Sequence, residues 1–277
     1  MEQNYRLREW IPVDKLNWSS LSIIINDKDL LENNIDKIDW RNLCRNENKI
    51  AINLLEKNID KIFWLNLSKN PNAISILEKY PDNINSLFIQ GNINAIHLIE
   101  KNPDKINWDL LSSNPNAIHL LEQNMDKINW DKLSSNPNAI SLLEQNMDKI
   151  NWDYLSYNSN AIHLLEKNQD KINWDVLSYN PNATYLLEQN IDKINWFGLC
   201  ENPNCIHLLE QNIDKINCYW FWLSKNPNAI HLLEKNIDKI NWENLCLNPN
   251  AIHLLEQNQD KIDCGSLSLN PNIFYNN

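Results

Sequence analysis

Residues 107–128 read NWDLLSSNPNAIHLLEQNMDKI, and residues 129–150 read NWDKLSSNPNAISLLEQNMDKI. The chain therefore repeats itself with a period of 22 residues. Self-similarity at a fixed period is typical of repeat proteins, in which each unit is stable only when it packs against its neighbours. This repeat decides the architecture before any single residue is considered.

Each repeat predicts two short amphipathic helices. The first, helix A, is expected to begin near Pro115, because Asn114 can cap a first helical turn and Pro has no N–H to leave unpaired. It is at most about three turns long and is expected to end at Asn124 in a left-handed conformation. The second, helix B, begins after the capping residue Asn129 with Trp130. Neither helix would be stable alone, so stacking must hold both.

The whole chain is predicted to be an all-α solenoid of about twelve stacked helix pairs. Its segments are an N-terminal cap (1–17), the helical repeats (18–263) and a partial C-terminal repeat (264–277) whose end is expected to fray. The repeats begin at Trp18, Trp40, Trp64, Ser86, Trp108, Trp130, Trp152, Trp174, Trp196, Trp220, Trp242 and Cys264. With helices about 8–10 Å apart, the stack would be a rod or gentle superhelix roughly 100 Å long.

Composition argues against other repeat classes. The chain has 3 glycines, whereas β-solenoids and leucine-rich horseshoes usually need Gly in their tight turns. The leucine-rich alternative also requires an apolar residue two positions before Leu121, where this chain has His119. The α-solenoid is therefore the favoured fold, and the leucine-rich horseshoe is the weaker alternative.

Two repeats depart from the pattern. The repeat that begins at Ser86 lacks its Trp and contains Gly91, so we expect a bend or local softness there. After Ile216 the chain carries two extra residues. We therefore expect Trp220 to take the core position of its repeat and Trp222 to be an additional aromatic.

Charge and cysteine usage limit the classes of partner. The net charge of -11 disfavours nucleic acid, because a phosphate backbone calls for a basic surface, although helical repeats that read RNA are known. No apolar run approaches the length of a membrane span, and the polar start at residues 1–4 predicts no signal peptide. We expect a soluble intracellular protein without a membrane partner. The 6 cysteines are then expected to be free thiols.

The repeat, whose recurring motif runs from Trp through Asn-Pro-Asn-Ala-Ile-His-Leu-Leu-Glu to Asp-Lys-Ile-Asn-Trp, resembles the short repeat proteins of giant DNA viruses. These proteins occur in many paralogous copies in the mimivirus-like and phycodnavirus groups. The opening segment 7–18 resembles their N-terminal segment, so the resemblance covers essentially the whole chain. It implies a viral protein located in the host cytoplasm or virus factory, with packaging in the virion as a further alternative. It supplies no catalytic residues.

Two periodic rows allow a functional and a structural interpretation. The Trp row could form an aromatic groove for proline-rich or cationic ligands. Its strict phase with the Ile and Leu positions favours core packing instead. The row of His, Ser, Asn and Tyr on helix A, which includes His119 and His163, suggests metal ligands. Equivalent atoms one repeat apart are too distant for zinc, so an exposed, solvated row is favoured and no metal is expected.

Positions 2 and 5 of helix B, counted from the Trp, point away from its Trp–Leu side and vary between repeats. They are Leu110 and Ser113, Lys132 and Ser135, Tyr154 and Tyr157, Val176 and Tyr179, Gly198 and Glu201, Trp222 and Lys225, and Asn244 and Leu247. A scaffold that fixes its core and varies one surface row can encode partner choice there. The candidate partner-binding residues are Tyr154, Tyr157, Val176, Tyr179 and Trp222. Random drift, or packing of this row against the neighbouring turn, remains an alternative.

An enzyme is disfavoured, because the chain has no Gly-rich phosphate loop and no nucleophile motif, and each polar candidate recurs periodically. We therefore expect no catalytic residues and no cofactor. The predicted function is a scaffold or adaptor that binds a host or viral protein along the variable row. The alternative is a structural component of the virion or virus factory. The sequence leaves the partner and the oligomeric state open.

Overall fold

The structure, a computed structural model, describes residues 5–217 and 219–276. Short helices recur along this part of the chain with the predicted spacing, which confirms the all-α repeat solenoid. The expectations for residues 1–4 and for Cys218 lie outside the described residues. Within the described ranges, no helix is both long and apolar enough to cross a lipid bilayer.

The α-helices alternate between helix B, which begins at the Trp of its repeat or at Cys264 in the last repeat, and helix A. The exception occurs at the repeat from Ser86, where α6 (Ile74–Lys79) and α7 (Ile96–Glu100) are both helix A. In chain order they are α1 Trp18–Ile24, α2 Lys28–Asn33, α3 Trp40–Leu43, α4 Lys49–Lys57, α5 Trp64–Ser68, α6 Ile74–Lys79, α7 Ile96–Glu100, α8 Trp108–Leu111, α9 Ile118–Glu122, α10 Trp130–Ser134, α11 Ile140–Glu144, α12 Trp152–Tyr157, α13 Ile162–Lys167, α14 Trp174–Leu177, α15 Thr184–Glu188, α16 Trp196–Glu201, α17 Ile206–Gln211, α18 Trp220–Leu223, α19 Ile230–Glu234, α20 Trp242–Leu247, α21 Ile252–Gln257 and α22 Cys264–Leu267.

Most 3-10 helices connect helix A to the next helix B. They are Val13–Lys15, Ile35–Lys37, Ile59–Lys61, Pro81–Asn83, Phe88–Gly91, Pro103–Lys105, Pro115–Ala117, Met125–Lys127, Met147–Lys149, Gln169–Lys171, Ile191–Lys193, Ile213–Ile216, Ile237–Lys239, Pro249–Ala251, Gln259–Lys261 and Pro271–Ile273. Two short strands, β1 (Tyr5–Leu7) and β2 (Phe274–Asn276), complete the described elements.

Helix A differs from its prediction at both ends. In the central repeat it is α9, which begins at Ile118 rather than near Pro115, because residues 115–117 form a 3-10 turn. Its predicted left-handed end is also wrong, since none of the described residues other than Gly has a positive φ. Asn124 has a φ of -137°, and its side-chain amide donates to the carbonyl of Leu120 at 2.9 Å. The side chain thus caps the helix without a left-handed backbone.

A buried apolar row holds each repeat together. In the repeat from Trp130, Leu133, Ala139 and Leu143 are 0 % exposed. The equivalent side chains of the next repeat, including Leu155, are as completely buried. Burial of this kind stabilises by about 25 cal/mol per Å² of apolar surface, so stacking provides the stability that the isolated helices lack.

The serine at position 4 of helix B joins consecutive repeats. The hydroxyl of Ser134 donates to the carbonyl of Trp130 at 2.7 Å and accepts from the backbone N–H of Asn151 at 3.0 Å. Where Cys44 replaces this serine, its Sγ accepts from the N–H of Phe63 at 3.3 Å. Position 4 therefore supplies a hydrogen-bond acceptor to the backbone N–H of the residue directly before the next helix B.

The Asn-Pro-Asn segment forms a second ladder between repeats. The side chain of Asn136, 1 % exposed, donates to the carbonyls of Ser112 and Asn114 in the preceding repeat, both at 3.1 Å. Its Oδ1 accepts from the N–H of Asn138 at 3.0 Å, and the Asn138 amide donates to the carbonyl of Pro115 at 3.0 Å. These asparagines bind one repeat to another, whereas the sequence predicted only a helix cap.

The described chain divides into two compact units. The first contains the chain up to Pro103 together with the segment from Asn241 onward, and the second is Asp104–Ile240. The first unit thus contains both ends of the described chain, and the predicted segments of cap, helical repeats and partial repeat stay a prediction.

The ends of the described chain meet within the first unit, whereas the sequence predicted a rod or gentle superhelix roughly 100 Å long. Strands β1 and β2 pair antiparallel, with Arg6 opposite Tyr275. The N–H of Asn17 donates to the hydroxyl of Ser268 at 2.8 Å, which is the bond that joins consecutive repeats elsewhere. Ile273 is 0 % exposed, and the expected fraying of the C-terminal end stays a prediction.

The repeat from Ser86 retains its place without an α-helical helix B. A 3-10 helix, Phe88–Gly91, takes that position, and Asn85 caps it by accepting from the N–H of Phe88 at 3.0 Å. Buried Gln90 occupies the serine position and donates to the carbonyl of Ser86 at 2.9 Å. The bend or softness expected here stays a prediction.

The five described cysteines are free thiols, four of them buried. They are Cys44, Cys200, Cys205, Cys246 and Cys264. Burial raises the pKa of the Cys44 thiol to about 11. Because the thiolate is the reactive form, this group is protected from oxidation and alkylation at neutral pH.

Candidate interaction surface

The outer row of helix B, its positions 1, 2 and 5, is oriented by the cap and by the buried positions. In α10, Asn129 accepts from the N–H of Lys132 at 3.0 Å and fixes the first turn. Leu133 and Ser134 face the interior. Asp131, Lys132 and Ser135 are then left on the outer side, where Asp131 is exposed and the other two are half-buried.

In the regular repeats of the second unit, a polar ladder covers this outer row. The Asp at position 1 accepts from the side-chain amide of the Asn that caps the next helix B. These bonds join Asp131 to Asn151 at 2.9 Å, Asp153 to Asn173 at 2.8 Å and Asp175 to Asn195 at 3.2 Å. Asp109 makes the same bond to Asn129 and also pairs with Lys132. The hydrogen bond from the ammonium group of Lys132 lowers the pKa of the Asp109 carboxyl and is the largest cause of that shift.

Aromatic rings replace this ladder over the next two helices B, α16 and α18. Phe197 occupies the Asp position, and its ring centroid lies 5.9 Å from that of Tyr219, which stands directly before Trp220. The ring of Phe197 also meets Trp222 edge-on at 5.0 Å and Tyr179 at 6.1 Å. Edge-to-face pairs at these distances are favourable. The result is one aromatic cluster in the second unit.

Gly198 allows the ring of Tyr179 to reach this cluster. A Cβ at Gly198 would lie 2.6 Å from Cε2 of Tyr179, closer than any real carbon contact. The preceding repeat can therefore place its position-5 tyrosine over α16 only because position 2 there carries no side chain. Burial, followed by the charges of Glu201 and Asp175, raises the pKa of the Tyr179 hydroxyl.

The predicted contact residues all lie on this row but differ in exposure. Tyr154 and Tyr157 are 49 % and 61 % exposed, whereas Val176, Tyr179 and Trp222 are half-buried. The structure brings Tyr179 and Trp222 together through Phe197. The alternative interpretation, in which this row packs against the neighbouring repeat, therefore holds for Tyr179 and Trp222.

The sequence argument missed Phe197, Tyr219 and Phe221. Phe221 is 45 % exposed and stacks edge-on against Trp222 with centroids 4.9 Å apart. Phe197 and Phe221 occupy position 1 of helix B, which the sequence argument did not include among the variable positions. The replacement of a recurring Asp by Phe at that position was the signal that could have found them.

The Trp row is covered by lysines of its own repeats. The ammonium group of Lys149 lies 4.7 Å from the ring centroid of Trp130, and that of Lys193 lies 4.5 Å from Trp174. These rings are half-buried, whereas Trp220, which takes the predicted core position, is 5 % exposed. A cation already occupies the ring face that a cationic ligand would need.

Four histidines of helix A contact a glutamate of a neighbouring repeat at hydrogen-bond distance. His97 pairs with Glu78 at 3.0 Å, His163 with Glu144 at 2.9 Å, His207 with Glu188 at 2.7 Å and His231 with Glu210 at 2.8 Å. Their side chains are 42–50 % exposed, as an exposed row requires. The glutamate partner comes from the preceding repeat. Among the described residues, no cluster of His, Cys, Asp and Glu could hold a metal ion.

No known protein family, curated protein or solved structure matches this chain. The interpretation of the surface therefore depends on its own geometry and on the resemblance described above.

Proposed function

We propose that the protein is a non-enzymatic interaction scaffold or adaptor that holds a protein partner along the outer row of helix B. The aromatic surface in the second unit carries this proposal. Its exposed members are Tyr154, Tyr157 and Phe221, and Val176, Tyr179 and Trp222 support them.

The chemistry of this surface suits a protein partner. Tyr and Trp provide large contact areas with few rotatable bonds and dominate the binding energy of many interfaces. The rings of Tyr179, Phe197 and Trp222 already support one another, so little conformational entropy would be lost on binding. An exposed aromatic surface on a chain with a net charge of -11 favours hydrophobic contact over binding to a phosphate backbone.

The resemblance to repeat proteins of giant DNA viruses supports a viral adaptor that acts in the host cytoplasm or virus factory on a host or viral protein. A structural component of the virion or virus factory is the competing function. Its surface would meet capsid or core proteins in high copy number. These two functions differ in the identity and stoichiometry of the bound protein, so one experiment separates them.

The test is affinity capture from infected-cell lysate with the wild type and with a Tyr154→Ser, Tyr157→Ser variant. Tyr185→Ser is the matched control, because Tyr185 is 64 % exposed but lies on helix A. A partner identified in the lysate is then purified, and its Kd is measured for all three proteins by fluorescence anisotropy.

We expect the double variant to weaken binding by about 1000-fold, because two hot-spot aromatics that each contribute about 2 kcal/mol are lost together. The control should bind as the wild type does. Equal binding by all three proteins would show that the aromatic surface is not the site. Capture of capsid or core proteins alone, in high copy number, would favour the structural function instead.

A further inference from the structure

An open groove lies along the outer row of helix B in the first unit. Its volume is about 790 Å³. Residues from α1, α3, α5 and the 3-10 helix Phe88–Gly91 line it, so it crosses four consecutive repeats. Its chemistry differs from that of the aromatic surface in the second unit.

Three cations line this groove and form no ion pair with any described residue. They are Arg41 and Arg45 on and beside α3 and Lys69 after α5. All three are exposed. The chain has only 4 arginines, and the other two, Arg6 and Arg8, belong to the N-terminal segment. Arginine is therefore concentrated here in an otherwise acidic protein.

The neutral amides of the groove already donate to the protein itself. The Nδ2 of Asn42 donates to the carbonyl of Ser19 at 3.0 Å, and that of Asn66 donates to the carbonyl of Arg41 at 3.0 Å. The amide of Asn70 donates to the carbonyl of Cys44 at 3.0 Å. The guanidinium and ammonium groups are thus the donors left for a ligand, and they select carboxylates or other anions.

The groove also contains exposed apolar side chains. Leu65 is 44 % exposed and Phe88 is 37 % exposed. Phe88 stands at position 2 of the repeat that has lost its Trp. A ligand that covers these two side chains removes apolar surface from water, which favours binding.

We propose that this groove binds an extended acidic segment of a partner protein that also carries a hydrophobic side chain. Arg45 and Lys69 occupy the same position 5 in consecutive repeats. Helices pack about 8–10 Å apart. An extended segment in the polyproline II conformation has about three residues per turn and rises about 3.1 Å per residue, so carboxylates three residues apart lie on one side of it and match this pair. The apolar side chain between them contacts Leu65 or Phe88.

A nucleic acid fits the groove less well. Asp39 and Glu47 are also among the lining residues, so the net charge of the five ionisable groups is only +1, from three cations and two carboxylates. A continuous phosphate backbone meets these two carboxylates, whereas an acidic peptide places its charges at intervals. Charge complementarity with a short acidic segment is the better match.

The binding test uses the full chain and a fluorescein-labelled peptide of about nine residues with Asp at every third position and Leu beside the central Asp. The matched peptide has Asn in place of each Asp. Anisotropy is measured for the wild type, Arg45→Glu, Leu65→Ser and the control Lys57→Glu. Lys57 belongs to the same repeat but lies at the end of helix A, in α4, so the control makes the same change of charge outside the groove.

We expect Arg45→Glu to weaken binding at least tenfold, Leu65→Ser about threefold, and Lys57→Glu less than twofold. Raising the salt concentration from about 0.05 M to about 0.5 M should weaken binding of the acidic peptide, because exposed charges are screened. The proposal is overturned if Lys57→Glu and Arg45→Glu have equal effects, or if the Asn peptide binds as tightly as the Asp peptide. Tighter binding of a fluorescein-labelled single-stranded oligonucleotide than of the acidic peptide would also overturn it.

Discussion

Two stretches of the second unit have equivalent buried residues but differ in the outer row of helix B. In the repeats from Trp130, Trp152 and Trp174, Asp–Asn hydrogen bonds join the outer rows of adjacent helices B. In the repeats from Trp196 and Trp220, rings take that place, and Phe197 contacts Tyr219 at 5.9 Å between centroids. The buried leucines and asparagines are present in both stretches.

The comparison shows that the outer contact is separable from the repeat itself. A helix B with an Asp–Asn bond and a helix B with an aromatic pair both keep the Asn ladder beneath them. Asn158 in the polar stretch and Asn202 in the aromatic stretch each donate to two carbonyls of the preceding repeat. Selection on the outer row can therefore change binding without rebuilding the fold.

The largest expected effect tests whether the two stretches share one interior. Asn158→Ala and Asn202→Ala should each lower the free energy of unfolding by about 3 kcal/mol, since buried carbonyls lose their donors. The two losses should be equal, because the hydrogen bonds match. Urea unfolding followed by Trp fluorescence measures both values.

The exposed amide of Asn138 provides the comparison for this pair, since its loss leaves a carbonyl that water can reach. Asn138→Ala should cost no more than about 1 kcal/mol. A difference above about 1 kcal/mol between Asn158→Ala and Asn202→Ala would mean that the interiors of the two stretches are not equivalent.

An intermediate effect is expected when the aromatic contact is converted to the polar one. Phe197→Asp should destabilise the protein by about 2 kcal/mol, because it removes a half-buried ring and places a charge beside Tyr179 and Trp222. Adding Tyr219→Asn supplies the amide that the Asp positions use elsewhere, so the double variant should recover about 1 kcal/mol. Urea unfolding of the wild type, the two single variants and the double variant gives the coupling free energy between the two substitutions. Additive losses would show that the two contacts cannot replace each other.

The smallest expected effect concerns the junction between the stretches. Gly198→Ala should destabilise by about 1 kcal/mol, because overpacking against the Tyr179 ring exceeds the gain in helix propensity. In a Tyr179→Ala background the same substitution should instead stabilise by about 0.5–1 kcal/mol. Thermal unfolding followed by circular dichroism measures the change of sign. The same sign in both backgrounds would show that Tyr179 does not restrict this position.

Much of the fold followed from the sequence because the repeat constrains local choices many times over. The period, the caps at residues such as Asn129 and the core role of Trp220 could all be predicted from spacing. The start of helix A could not, because Asn136 gains two hydrogen bonds to another repeat by remaining in a turn. Propensity alone contains no information about that contact.

The candidate site was predictable only in part for a related reason. Variation between repeats at the positions of Tyr154, Tyr157 and Tyr179 identified the row. The exposure of each side chain, however, depends on the side chains of the neighbouring repeat. Tyr179 is half-buried because Gly198 leaves room for its ring, whereas Tyr157 remains 61 % exposed. The cationic groove was missed because its residues come from four repeats and no local motif joins them.

The sequence by itself determined the repeat unit, since hydrophobic periodicity and capping act within about 22 residues and recur along the chain. Only the tertiary structure decided how the chain ends are used and which outer side chains are exposed. The bond from Asn17 to Ser268 joins residues 251 positions apart, and β1 pairs with β2 across a still longer separation in the chain. Such contacts depend on the accumulated geometry of every repeat between them, which no local pattern specifies.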